Sequence, residues 1–292
     1  MNTESVLMPA TAPFDFGHTL AFMSGFWATA NSQRVVGDGL VTAVRAAGRT
    51  VAAVLTAEGG GLRCVLHAAG PLTPDVVRAA TGRIASSLGL DDDLSGFYDL
   101  ARDDPDFAPV AERLRGYHQV RFPSPLETAV WAILAQRTAL KVAAKEKDAL
   151  ATPFGNTLTL DGADYTAFPD VEQLASLQPG RIAELIGNRR KGEYVSGTVR
   201  AWLDIDEGFL RTGPYAEAKD VLLGLPGIGA WSAAFIMLRG LGRTDETPDE
   251  KQLKEAASRV YGRPLSGEQV QRLGAAYGPW QGYWAHYLRA TA

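Results

Sequence analysis

Apolar residues in the first third of the chain fall in short, β-branched runs. Residues 40–44 and 51–55 are two such runs, joined across Ala47-Gly48-Arg49, and Glu58-Gly59-Gly60-Gly61 leads into a third at 62–66. Short apolar runs separated by tight glycine turns predict an antiparallel meander within residues 34–68. Two helices are expected beside it. Leu20, Met23 and Trp27 lie at helical spacing in residues 18–30, and Val76, Val77, Ala80, Ile84 and Leu88 share one face of a helix that starts after Pro74. Gly89 and the acidic triplet Asp91-Asp92-Asp93 close that unit as a solvated boundary.

From Leu94 onward the strand periodicity disappears and helical spacing takes over. Helices are predicted over residues 126–134, 140–150, 171–177, 181–186, 193–203, 215–222, 230–241, 250–261, 266–277 and 280 to the end, with Thr138 as a cap for the second of them. The expected fold class is therefore α+β. A small antiparallel sheet with flanking helices occupies residues 1–93, and an all-α domain occupies residues 94–292.

Composition narrows the class without naming it. The chain has 292 residues, 46% of them hydrophobic and 21% charged, which suits two globular domains and excludes a disordered or fibrous chain. No run of about eighteen apolar residues occurs, so no membrane-spanning helix is expected. The first dozen residues lack the charged and apolar segments of a secretory signal, and a cytoplasmic monomer is the default expectation. Cys64 is the single cysteine, which excludes an intrachain disulfide. The four histidines, His18, His67, His118 and His286, have no ligand spacing, and no metal site is expected from them. A net charge of −4 rules out a broadly basic surface but leaves room for a local basic patch, for which Arg181, Arg189, Arg190, Lys191 and Arg200 are the candidates.

The segment Leu225-Pro226-Gly227-Ile228-Gly229 joins two predicted helices. Its glycines allow a tight turn with positive φ, and the next helix begins with free N–H groups and a positive dipole end. Such a hairpin suits an anion, and a flat one free of side chains suits a nucleic-acid phosphate. An ordinary interhelical turn accounts for this pentapeptide equally well.

The longer run from Leu225 through Ala230, Trp231, Ser232 and Phe235, followed by Thr247-Pro248-Asp249-Glu250-Lys251-Gln252-Leu253, resembles the helix-hairpin-helix DNA glycosylase superfamily, and within it the 3-methyladenine DNA glycosylase II (AlkA) family. Four further segments carry the same resemblance in the same order: Pro13-Phe14-Asp15-Phe16 with Phe22, the helix from Phe122 to Gln136, the segment from Ile186 to Tyr194, and Gly278-Pro279-Trp280. What the resemblance implies is excision of a damaged, alkylated purine from double-stranded DNA by hydrolysis of its N-glycosidic bond.

Excision needs a phosphate anchor, a wedge, an aromatic pocket and a carboxylate. The resemblance implies the hairpin as anchor, with a monovalent cation at its carbonyls and no other cofactor. Gln136 and Arg137 occupy the wedge position, where an arginine replaces the family's aliphatic residue, and a solvated interhelical arginine is the alternative reading. Trp231, Phe235 and Phe22 map to the base pocket, although each suits a core equally well. Trp231 stands where lyase members carry a lysine, so a covalent Schiff base is not expected, and Lys251, beside the carboxylate slot, is the amine to consider if one forms. Glu250 fills the catalytic carboxylate slot when the chain is aligned on Leu253, and Asp249 is the alternative one position earlier. Arg289 replaces an aromatic of the family, and Gln281-Gly282 replaces its Arg-Ser pair, which leaves the accepted base open. A non-catalytic damage-binding protein and a glycosylase for deaminated or oxidised bases are the rival readings.

Overall fold

The computed structural model describes residues 1–291. Strand β1 (Asn2–Met8) opens the chain, helix α1 (Phe16–Met23) follows, and β2 (Gln33–Val36), β3 (Gly39–Ala46), β4 (Arg49–Glu58) and β5 (Gly61–Ala68) complete one antiparallel sheet. The strand order is β1-β5-β4-β3-β2, so the predicted meander is its centre, with Leu40 opposite Leu55 and Leu55 opposite Cys64. The edge strand β1 gave no sequence signal because its first four residues are polar and exposed on both faces. Helix α1 is shorter than predicted. The chain breaks helix at Ser24 and Gly25, and Trp27 to Thr29 make only one 3-10 turn. Helix α2 (Pro74–Leu88) has the expected signals at both ends: Thr73 accepts from the Val76 N–H, Pro74 starts the first turn, and Gly89 leaves in the left-handed region.

The rest of the chain is mainly helical: α3 (Ser95–Arg102), α4 (Ala108–Arg113), α5 (Pro125–Leu134) and α6 (Leu140–Ala151) come first. A hairpin of β6 (Thr157–Leu160) and β7 (Ala163–Thr166) interrupts the series, which corrects the expectation of a wholly helical second half. Its turn is Asp161-Gly162, with φ values of 50° and 77°, the dipeptide that favours a two-residue hairpin turn. Leu158 and Tyr165 of this hairpin pack on Val41, Ala43 and Ala52 of the main sheet. That contact explains why β3 is apolar at nearly every position: both of its faces are covered.

The chain continues through α7 (Val171–Ala175), α8 (Pro179–Ile186), α9 (Arg189–Trp202), α10 (Glu207–Thr212), α11 (Tyr215–Leu223), α12 (Ala230–Arg239), α13 (Lys251–Val260), α14 (Gly267–Ala275) and α15 (Gln281–Arg289). Helices α3, α4 and α10 were not expected from the sequence; α4 and α10 have only six residues each, too few for periodicity to register. One core forms around α5, α9 and α12, and a second, rich in aromatics, forms around α3, α13 and α15. Helix α5 is buried at all ten positions and lies between the others as a central rod. The buried ion pair of Lys147 with Glu127 fixes α6 to it. Removing one partner of such a pair typically costs about 3–5 kcal/mol.

Candidate active site

Helix α12 begins at the hairpin, and its first turn separates two concavities. One is a groove of about 630 Å³ lined by Gln136, Arg137, Asn188, Arg190, Lys191, Tyr194 and the hairpin residues Gly227, Ile228 and Gly229. The other is a cavity of about 350 Å³ lined by Trp231, Phe235, Leu238, Arg239 and Arg289, with the acidic residues Glu246, Asp249 and Glu250 and the amine of Lys219 at its rim. Gly229 belongs to the first and Ala230 to the second, so the two meet within one residue of the helix start.

The hairpin is built from its neighbours. Leu225 and Ile228 are buried, and the Ile228 N–H donates to the Leu225 carbonyl at 3.2 Å. Gly227 has φ 77°, and a Cβ there would lie 2.6 Å from Cγ of Tyr194, so only glycine fits. Gly229 differs from expectation. Its φ is −99°, which any residue adopts, and a Cβ there would meet nothing within 4 Å. The value of glycine at that position is open space in front of the helix. No side chain caps α12, and the N–H groups of Gly229, Ala230 and Trp231 have no protein acceptor among the described residues. The carbonyls of Leu225, Pro226 and Gly227 already accept from the Ile228 N–H, the Thr198 hydroxyl and the Gln136 amide. Each of these oxygens keeps a second lone pair, so the hairpin carbonyls are compatible with the expected monovalent cation.

Gln136 donates from Nε2 to the Gly227 carbonyl at 2.7 Å and so ties the end of α5 to the hairpin. Arg137, the next residue, is exposed and has φ 52°. A left-handed conformation at a non-glycine residue costs energy and persists only where the surroundings hold it. Here the surroundings include Lys191, whose ammonium donates to the Leu134 carbonyl, to Thr138 Oγ1 at 2.6 Å and to Glu146 Oε2 at 3.0 Å. Thr138 therefore braces this loop and caps nothing: α6 starts after Ala139 without a side-chain cap. The basic patch expected around α8 and α9 is paired with acids only in part, and Arg200 is exposed with no ion pair among the described residues. Lys191 is buried, Arg181 pairs with Glu184, Arg189 pairs with Glu193, and Arg190 donates to the Tyr194 hydroxyl. Arg137 and Arg190 are the two arginines that line the groove.

In the cavity, Trp231 is half exposed and stacks on Phe235 with centroids 5.2 Å apart and planes 17° from parallel. Helical spacing of one turn sets that stack. Phe22 does not line the cavity. Its ring lies 4.9 Å from the guanidinium of Arg239 and 5.1 Å from Phe26, behind the wall. Glu250 is the residue that precedes α13, and its carboxylate lies 3.1 Å from Arg289 Nη2. That contact is an ion pair without hydrogen-bond alignment, since Arg289 Nε and Nη2 have no hydrogen-bond acceptor. Asp249 also borders the cavity, but it is exposed and has no ion-pair partner among the described residues. Lys251 is not in the cavity: it pairs with Glu255 on the solvent side of α13. Sequence reasoning missed three cavity residues. Lys219 and Glu246 form an ion pair across α11 and the loop before α13, and Arg239 is buried at the end of α12. Arg239 lay at helical spacing from Trp231 and Phe235, which was the only available signal.

No family model matches the chain. A probable bifunctional transcriptional activator/DNA repair enzyme AlkA of Mycobacterium tuberculosis is 30% identical over 214 residues, covering 73% of this chain and 42% of that protein. The chain thus spans less than half the length of that relative. A DNA-3-methyladenine glycosylase of Bacillus subtilis is 27% identical over 204 residues, covering 68% of this chain and 67% of that one. The solved 3-methyladenine DNA glycosylase from Archaeoglobus fulgidus superposes with a TM-score of 0.77 at 20% identity, covering 98% of this chain and 97% of that one. The chain thus shares its fold from end to end with a solved 3-methyladenine DNA glycosylase and is similar in sequence, across most of its length, to AlkA-like DNA glycosylases.

Proposed function

We propose that the protein is a monofunctional DNA N-glycosylase that removes damaged, alkylated purines from duplex DNA in base excision repair. The observation that carries this reading is the adjacency of an anion-attracting hairpin and an aromatic cavity with a carboxylate at its rim, both at the N-terminus of α12. The free N–H groups of that helix attract a backbone phosphate. Arg137 reaches the stack from the opposite side of the same groove and fills the space a departing base leaves, through its planar guanidinium. The extruded base then lies against the Trp231–Phe235 stack, whose exposed face also suits an electron-poor ring.

The chemistry follows from the carboxylate. Cleavage of an N-glycosidic bond passes through an oxocarbenium-like sugar, and a carboxylate at the cavity mouth stabilises that charge and orients the attacking water. Glu250 fits this role because it borders the cavity on a fixed helix start. Asp249 is its neighbour on the exposed side. The resident partner of the protein is lesion-bearing double-stranded DNA, and its place of action is the compartment that holds the chromosome, the cytoplasm of a bacterial cell. The chain acts as a monomer on this reading.

One observation favours a second reading. The Glu250 carboxylate is held by Arg289 at 3.1 Å, and a carboxylate held in this way has less charge to offer a sugar. A protein that binds lesions without excision follows if the pair does not open. Single-turnover assays on a panel of single-lesion duplexes, with abasic sites cleaved by alkali, separate the two. Excision of an alkylated purine supports the enzyme. Tight binding of an abasic analogue with no excision across the panel leaves the binder.

A further inference from the structure

We propose that a surface beside the wedge loop, built from Trp27, Leu140, Lys141 and Lys145, holds the sugar-phosphate backbone of the undamaged strand. This rests on the reading of the hairpin and Arg137 as duplex contacts, and it adds the second strand to them.

Trp27 lies in the 3-10 turn after α1, far in sequence from the groove, and folding packs that turn on α6. Ala28 of the turn and Ala143 of α6 are buried in one core, which fixes the turn in place. The side chains beside that contact stay in the open: Trp27 is 55% exposed and Leu140 is 57% exposed. The Lys141 ammonium lies 5.1 Å from the centre of the Trp27 ring. Lys145 follows one helical turn later. Both lysines are exposed, and neither has an ion-pair partner among the described residues. The nearby acid Glu146 is taken by Lys191, and Asp148 is half-buried beside Lys147. An exposed indole and leucine with two free ammoniums beside them call for a ligand that is anionic and apolar at once.

Position in the fold says which ligand. Only Thr138 and Ala139 separate Arg137 from Leu140. The chain runs from Gln136, bonded to the hairpin carbonyl of Gly227, through Arg137 to Lys141 over the Trp27 ring. The loop thus spans from the hairpin to Trp27, with Arg137 between them. A duplex that gives a phosphate of one strand to the hairpin and admits Arg137 into its stack carries its other strand on past Arg137, toward Trp27. The chemistry of that strand matches the surface. Deoxyribose offers an apolar face to the indole and to Leu140, and its phosphates face the two ammoniums, compact charges that suit a phosphate without reading a base.

The test compares wild type, Trp27→Ala and Lys141→Gln in equilibrium binding to an abasic-analogue duplex and to its lesion-bearing strand alone, over a range of salt. Trp27→Ala should bind the duplex about fivefold or more weakly, the scale of burying part of an indole. Lys141→Gln should reduce the slope of log affinity against log salt by about one. Neither should change binding of the single strand. Uncharged methylphosphonates, placed one at a time along each strand, then identify the strand. Positions on the undamaged strand should weaken wild type and leave Lys141→Gln indifferent. If the positions that lose their effect lie on the lesion strand, or if the variants weaken single strand and duplex alike, the proposal is overturned. Variants that bind the duplex as wild type does overturn it too, and leave the excision reading intact where wild type removes the base. The expected losses in a protein that excises nothing overturn the excision reading and leave the second-strand surface standing. Thermal unfolding accompanies each variant, and if Trp27→Ala does not fold, Lys141→Gln and Lys145→Gln, both at exposed positions, decide the question.

Discussion

Arg289 Nη2 lies 3.1 Å from Glu250 Oε2, so the last helix of the chain reaches the carboxylate at the start of α13. Arg289 and Glu250, two positions where the sequence departs from the pattern it resembles, are thus in contact.

Glu250→Gln keeps the size of the side chain and removes its charge. Excision should fall by about 10²–10³, the usual cost of one electrostatic group at a developing charge. Binding to an abasic-site duplex should survive, since no phosphate contact is lost. Asp249→Asn should have little effect, because that side chain is exposed. Single-turnover rates beside gel-shift affinities check both, and a dead Asp249→Asn with an active Glu250→Gln would move the catalytic role one residue back.

The two hairpin glycines should respond differently. Gly227→Ala places a methyl group against the Tyr194 ring at a φ of 77°, and should lower stability by about 1–3 kcal/mol. Gly229→Asp meets open space and leaves the fold intact, but sets a negative charge before the free N–H groups of α12. It should weaken duplex binding without moving Tm. Thermal unfolding and salt-dependent binding isotherms distinguish the two, and wild-type binding should fall steeply with salt.

Arg137 carries backbone strain together with the proposed wedge role. Arg137→Gly relieves the left-handed conformation at φ 52° and should leave Tm unchanged or higher. Base extrusion should fall about tenfold or more, the scale of one lost stacking contact, while non-specific affinity changes little. Fluorescence of 2-aminopurine beside a lesion measures extrusion. An unchanged signal would return Arg137 to the solvated surface.

Borohydride should trap no covalent adduct, because Trp231 cannot form a Schiff base. The amine that lines the cavity is Lys219, and it is engaged by Glu246. If an adduct does form, peptide mapping should find it on Lys219, not on Lys251, which faces solvent beside Glu255.

His286 makes stability depend on pH. Burial, then Arg239 and Arg289, hold its pKa well below the ordinary value of 6.5. Above about pH 6.5 it is neutral in both folded and unfolded chains. As the pH falls below that value the unfolded chain takes up a proton that the folded one refuses. Stability should therefore drop by about 1 kcal/mol per pH unit for this proton between about pH 6.5 and 5. Urea unfolding of wild type and His286→Phe should give a shallower slope for the variant in that window.

Local signals gave much of this protein away. Thr73, Pro74 and Gly89 frame α2, the glycine turns frame β3 to β5, and the segment 225–229 gave the hairpin, because each depends on neighbours a few residues apart. The Asp161-Gly162 turn was equally local and was still overlooked, because the flanking strands are only four residues long. The edge strand β1 was not legible, since its polar residues acquire a strand only by pairing with β5, some sixty residues away. The site divides along the same line. By itself the sequence determined the order of hairpin, aromatic and acid, and the break at Gln136-Arg137. Only the tertiary structure decided that Lys191 braces the loop at Arg137, that Arg289 meets Glu250, and that the Arg239 guanidinium is enclosed over Phe22 and Phe26 without an acceptor. Those relationships join residues far apart in the chain, and the charge of a side chain does not say which partner, or none, folding will bring to it.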